Sequence, residues 1–325
     1  MFAFTRSMRA VAGAFVLAAV CAGVQAADKV AFVEVTSIVE HPALDAVRDG
    51  TRDELIAEGF EPGKTLKWEF QSAQGNAGTA GQIARKFVGD NPDVIVAIGT
   101  PSAQPLVAAT KSIPIVYSGI ADPMAAQLVK SWAPSGTNVT GMSHMLDPVR
   151  QVDVIKQVVP GAKRVGIVYN PGEANSVSAL NNIKAELGKR GYTLVEAAAP
   201  RSVDVAPAAK SLLGKIDVMY TTTDNNVVSV FESLAKVCNE AHIPLIASDT
   251  GSVKRGAVAA LGVNFYDLGR QTGKMVVRIL KGEKAGDIPS SPSQNLELYV
   301  SKSAASKQGV TLSSAFLKTA TKIID

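Results

Sequence analysis

Short polar clusters stand directly after β-branched runs at six places in the chain, and their residue types divide into donors and acceptors. Gly99-Thr100-Pro101-Ser102-Ala103 follows the run Asp93–Ile98. Gly99 allows a tight turn, Thr100 is a good N-cap and Pro101 suits a first helical position. The N–H groups of Ser102 and Ala103 are then expected to be free to hold a carboxylate. Plain helix capping without a ligand fits the same residues equally well.

The other clusters add acids, amides and hydroxyls. Thr222-Thr223-Asp224-Asn225-Asn226 and Ser248-Asp249-Thr250 each present a carboxylate that can either cap a helix or accept hydrogen bonds from an ammonium group. Asp249 is the first candidate for the cation, because Thr250 can take over capping, and Asp224 is the second. Thr36 and His41 follow the first run. Ser118 opens Ser118–Pro123, where Asp122 can equally begin a helix before Pro123. Tyr169, Asn175 and Ser176 lie in the loop after a later run. Donors on one side and acids on the other suit a zwitterion such as an α-amino acid, and ordinary polar surface loops are the alternative.

Catalytic chemistry is poorly supported. There is no G-x-S-x-G, no GxGxxG and no Walker A lysine. The three histidines, His41, His144 and His242, lie far apart and none has a second ligand at metal spacing. No catalytic residue, metal or cofactor is expected.

The elements that must position these clusters repeat. Val30–Val35 reads as a strand, Ala43–Gly59 as a helix, Thr65–Gln71 as a strand and Ala77–Gly89 as a helix. Asp93–Ile98, a helix over Ser102–Thr110 and the strand Ile115–Tyr117 follow, and Asn138–Gly141 can close the sheet. The pattern restarts at the strand Arg164–Tyr169 and the helix Val177–Lys189. Asp217–Asn226 lines up with Asp93–Ser102, and Ile243–Ser248 with Ile113–Ser118. Further on come a strand at Gly256–Leu261, a helix at Asp267–Leu280, a Pro/Ser/Gly-rich connector at Gly286–Ser293 and a last strand at Leu296–Val300.

The expected fold is therefore α/β: two similar Rossmann-like domains with parallel sheets, joined by a hinge of three crossings. The crossings are expected near Ser143–Asp147, Gly262–Tyr266 and Pro289–Pro292. This divides the chain into a first domain of 27–143 plus 264–289 and a second of 144–263 plus 290–325. All six clusters then gather at the carboxyl ends of the strands, where ligands bind in open α/β sheets.

Composition agrees. The chain has 325 residues, of which 46% are hydrophobic and 19% charged, too apolar for a disordered chain and enough for two cores. A net charge of +4 without a basic block leaves no footprint for nucleic acid. Residues 1–26 read as a secretory signal peptide. Arg6 and Arg9 precede the apolar stretch Ala10–Val20, and Val24-Gln25-Ala26 offers a small-residue cleavage site. Ala18-Ala19-Val20 before Cys21 is a poor lipoprotein box. Removal of this segment leaves Cys238 as the one cysteine in an oxidising compartment, on the apparent inner face of a helix, where it is expected to be buried and inert.

With these residues in place the chain resembles the ABC transporter substrate-binding proteins of the TrpX-like family. The resemblance rests on EHPALDAVRDG at Glu40–Gly50, IGTPSAQ at Ile98–Gln104, YSGIADP at Tyr117–Pro123, GIVYNPGEANS at Gly166–Ser176 and TTTDNNVVS at Thr221–Ser229. It implies a type I periplasmic-binding-protein fold and a soluble, monomeric periplasmic protein. Such a protein binds a small molecule, an aromatic amino acid in characterised members, and hands it to an ABC permease and ATPase in the inner membrane. It places ligand contacts in the loops at Thr100–Ala103, Asn175–Ser176, Asp224–Asn225 and Asp249, and less firmly at Thr36 and His41. A sensory module serving a membrane receptor, or an enzyme using the same cleft, are the rival readings.

Overall fold

The computed structural model describes residues 1–2, 30–293 and 295–324, so the expected signal peptide and Cys21 lie outside the described residues. In the first half, β1 (Ala31–Ser37), α1 (Pro42–Ala57), β2 (Leu66–Ser72), α2 (Ala77–Asp90), β3 (Val94–Ile98), α3 (Thr100–Ala109), β4 (Ile115–Ile120) and β5 (Val139–Ser143) alternate as the sequence pattern requires. The second half holds α4 (Pro148–Val158), β6 (Arg164–Tyr169), α5 (Ala174–Lys189), β7 (Thr193–Ala198), α6 (Val205–Ser211), β8 (Val218–Thr221), α7 (Asn225–Ser229), α8 (Phe231–Ala241), β9 (Leu245–Ala247) and β10 (Ala259–Val263). The chain ends through α9 (Phe265–Leu280), β11 (Ser291–Pro292), β12 (Leu296–Ser301), α10 (Lys302–Lys307), α11 (Ser314–Thr319) and β13 (Lys322–Ile324).

The strands form two sheets. The first runs β11-β5-β4-β3-β1-β2 and is parallel throughout. The second runs β13-β12-β10-β9-β8-β6-β7 and contains one antiparallel pair, β10 with β12, so it departs from the all-parallel expectation. The cause is topological: β12 returns from the first sheet and enters beside β10 without a crossover helix of its own. Central strands carry unbroken apolar runs because helices cover both faces, and every residue of β3, β4 and β10 is buried.

The chain passes between the sheets three times. It leaves the first after Ser143, returns after Val263 and leaves again after Pro292, since Ser291 and Pro292 pair with Met142 and Ser143 of β5. Ser291 and Pro292, expected with the second domain, thus add an edge strand to the first sheet. Helix α9 packs on α1 although more than 200 residues separate them, and Thr51 Oγ1 donates to the Gly269 carbonyl at 3.1 Å. The approach is close. A Cβ built on Gly269 would stand 2.3 Å from the Val47 carbonyl oxygen, which only glycine avoids. The apolar face of α9, including Leu268, Met275, Val276 and Ile279, joins the first core. Among the described residues no helix is long and apolar enough to cross a membrane.

Candidate functional site

Two adjoining spaces open between the halves and share His144 and Thr223 in their walls. One, of about 360 Å³, is lined by polar residues from strand ends of both sheets: His41, Thr100, Asn175, Asn225 and Asp249, closed off by Leu44 and Phe265. The other, of about 480 Å³, is more apolar, with Met145, Leu146, Ile183 and Tyr220 in its walls.

The first half builds its wall from helix starts. Gly99, with φ 86°, is the N-cap of α3, so the helix begins one residue earlier than the sequence suggests and Thr100 is its first residue. The N–H groups of Ser102 and Ala103 were expected to be free. Both donate at 3.1 Å to the Gly99 carbonyl, and neither is available to a carboxylate. One hydroxyl remains in the wall: Thr100 Oγ1 is buried without a hydrogen-bond partner, whereas Ser102 Oγ and Thr36 Oγ1, also buried and unpartnered, line neither space. Ser118 is not a cleft residue, because its hydroxyl lies 2.7 Å from Thr272 Oγ1 on α9. His41 caps α1 by accepting from the Leu44 N–H at 3.4 Å, and it hydrogen-bonds Asn225 of the other half. Burial pulls its pKa down to about 4.

The second half builds its wall around acids. Asp224 is fully buried and its oxygens are committed. Oδ1 accepts from the Val227 N–H at 3.0 Å, and Oδ2 accepts from the Asn170 N–H at 2.6 Å and from the Ser176 hydroxyl. It is a structural anchor, and Ser176 is spent on it. Asp249 also caps, with Oδ1 accepting from the Ser252 N–H at 3.0 Å and Oδ2 from Ser252 Oγ at 2.5 Å, but it faces the polar space. Burial raises both carboxyls, against the pull of these hydrogen bonds. Tyr169 lies outside both spaces and packs against the second core.

Glu173 collects three amides. Its Oε2 accepts from Asn225 Nδ2 at 2.6 Å and from Asn175 Nδ2 at 3.1 Å, and its Oε1 from Asn170 Nδ2 at 3.3 Å. Burial and then the Asp224 charge push its carboxyl up, and the three amides pull it back. Asn175 Oδ1 is buried in the cleft wall with no partner.

Direct bonds join the halves. His144 Nε2 lies 2.9 Å from Thr223 Oγ1, and Ser178 Oγ donates to Asp122 Oδ2 at 3.3 Å. Asp122 does cap the turn before Pro123, accepting from Met124 and Ala125 N–H through Oδ1. Sequence reasoning missed His144, Thr223 and Phe265. A lone histidine at a crossing carries no spacing signal, although its place between the expected β5 and the second domain points to the cleft. Among the described residues no His, Cys, Asp and Glu cluster could hold a metal ion.

Residues 32–324 match the family described as ABC transporter substrate binding protein. A tyrosine-binding protein of Clostridioides difficile (strain R20291) is 39% identical over 270 residues, 83% of this chain and 78% of that one. A conserved domain protein from Vibrio cholerae O1 biovar El Tor is 45% identical with a TM-score of 0.90, the match covering 91% of this chain and 100% of that one. An ABC domain in complex with L-Trp from Streptococcus pneumonia is 32% identical, with a TM-score of 0.87 over 90% of this chain and 99% of that one. A ligand-free, open substrate-binding protein from Clostridium difficile is 38% identical, with a TM-score of only 0.69 over 91% and 99%. The chain overlays better on the ligand-bound relative despite its lower identity, which agrees with the bonds that join the two halves. Motifs, two-sheet topology and a cleft walled by both halves lead to one assignment: the chain belongs to the ABC transporter substrate-binding protein family.

Proposed function

We propose that this protein is the periplasmic solute-binding component of an ABC importer, that it closes on an aromatic L-amino acid, and that it delivers it to a permease and ATPase in the inner membrane. The observation that carries the reading is the pair of buried, unpartnered polar atoms on opposite walls of one cleft, Thr100 Oγ1 from the first half and Asn175 Oδ1 from the second. A buried polar group without a partner costs free energy. A ligand offering a donor and an acceptor relieves it on both walls at once, so binding favours the closed state. Asp249 supplies charge for an ammonium, and the Thr100 hydroxyl, rather than helix N–H groups, supplies a donor for a carboxylate. The side chain takes the apolar space beside Met145, Leu146 and Ile183. Tyrosine and tryptophan, named for two relatives, are of that chemical class.

The domains expected from the sequence would move as bodies about the crossings after Ser143, Val263 and Pro292. Mass spectrometry of small molecules released by denaturing protein purified from its host tests the ligand. Calorimetry with L-tyrosine, L-tryptophan and L-phenylalanine, alongside solution scattering, tests affinity and closure. An aromatic amino acid in the released fraction, micromolar or tighter binding and a smaller radius of gyration on saturation are expected. A sugar or anion in the released fraction, with no heat from any of the three amino acids, would reject the reading. Export predicts a mature chain beginning at Ala27, read by N-terminal sequencing.

A further inference from the structure

We propose that Glu173 is a positioning residue that sets the polarity of the cleft, fixing the side-chain amides of Asn175 and Asn225 so that the Asn175 carbonyl oxygen reads an ammonium group while Asn225 turns to His41. This rests on the amino-acid reading given above and names how that class is recognised. A carboxylate can only accept hydrogen bonds, so each amide that meets it must present its NH2. Glu173 Oε2 receives both, at 3.1 Å from Asn175 and 2.6 Å from Asn225. The third amide, from Asn170, occupies Oε1 at 3.3 Å, and Asn170 Oδ1 accepts the Gly172 N–H at 2.9 Å. That outer pair closes the loop on which Glu173 rides and leaves the acid few rotamers.

The consequence lies at the other end of each amide. With its NH2 held at Glu173, Asn175 turns its oxygen away from the acid, and that oxygen is buried, unpartnered and on a residue of the cleft wall. Asn225, whose NH2 is given to Glu173, also hydrogen-bonds His41. His41 Nδ1 accepts the Leu44 N–H, so its Nε2 carries the proton and needs an acceptor. Asn175 Oδ1, which has no partner, and the nearby Asp249 therefore face the space, and a ligand atom bearing several N–H bonds satisfies them. A ligand with a methylene there would leave Asn175 Oδ1 stranded. Glu173 enforces this without lining the space itself.

The test compares L-tyrosine with 3-(4-hydroxyphenyl)propionate, which keeps the ring and carboxylate and lacks the ammonium. Calorimetry on wild type, Glu173→Met and Glu173→Asp gives the affinity ratio for the pair. Wild type is expected to prefer tyrosine at least 30-fold. Glu173→Met, of similar length but with no oxygen to hold the amides that Asn175 and Asn225 both give to Oε2, should lower the ratio tenfold or more while changing affinity for the propionate less than threefold. Glu173→Asp, still acceptor-only but shorter, should fall between, and it carries the test if Glu173→Met does not fold. A merely structural role would weaken both ligands together and leave the ratio unchanged, and that result overturns the inference while leaving the amino-acid reading standing. Wild type with equal affinity for the two ligands, or none for either, overturns both.

Discussion

The Nε2 of His144 and the Oγ1 of Thr223 lie 2.9 Å apart, and this bond ties the crossing after β5 to the turn after β8. His144 is buried beside Phe265, with ring centroids 5.3 Å apart. Burial, more than any neighbouring charge, holds it near pKa 4, as it does His41. His41 and His144 disfavour each other's charge, and Arg255 adds to that at His41.

Acid should therefore loosen the protein. Between pH 6.5 and about 4 the unfolded chain takes up protons on these two histidines that the folded chain refuses, so stability falls as pH falls through that window and levels off below it. Each shift is worth about 3 kcal/mol. Asp224 and Asp249, whose carboxyls are raised, oppose the loss near its lower end. Melting temperature measured from pH 7 to pH 4 should drop, and His144→Gln should flatten the slope. An identical slope in that variant would remove His144 as a cause.

Asp249→Asn should weaken binding of an aromatic amino acid tenfold or more, or at least about 1.4 kcal/mol. Asparagine keeps an Oδ1 that can accept the Ser252 N–H, so the cap survives and the charge alone is lost. Calorimetry reads it, and wild-type affinity in the variant would assign the ammonium to other groups.

Asp224→Ala should behave differently. It strands the N–H groups of Asn170 and Val227 and the Ser176 hydroxyl inside the protein. A loss of about 2–4 kcal/mol in denaturant unfolding is expected. Unchanged stability with lost binding would make it a ligand contact instead.

Cys238 should be silent in the native state. Its side chain is fully buried and burial pushes its thiol up to about 12, so almost no thiolate exists at pH 8. Iodoacetamide at that pH should label it only after unfolding, as followed by intact mass. Rapid labelling of the folded protein would show that α8 opens.

The strands were legible because parallel sheets covered on both faces demand apolar runs, and Asp93–Ile98 or Arg164–Tyr169 has no other use. The loops at their ends were legible as a group for the same reason. The role of each residue within them was not. Asp224 and Asp249 look alike in sequence, each a carboxylate after a strand. Only the positions of Asn170 and Ser176, some fifty residues away, show that Asp224 is already satisfied. The start of α3 moved by one residue because Gly99 adopts a left-handed φ, and that step took the N–H groups of Ser102 and Ala103 out of reach. His144 and the antiparallel β12 depend on how the chain crosses between sheets, which local patterns do not encode.

The packing of α9 on α1, with the edge strand β11 beyond it, also governs how the protein can be made. The first sheet and its helix layer draw on residues up to Pro292, so the early half emerging from a ribosome has an uncovered apolar face where α9 will lie. Its core stays unfinished until most of the chain has been synthesised. The later half, from α4 to β10, is one continuous stretch that already holds most of its own sheet. The first sheet is complete only at Pro292 and the second only with β12 and β13, so both halves are finished within the last stretch of synthesis.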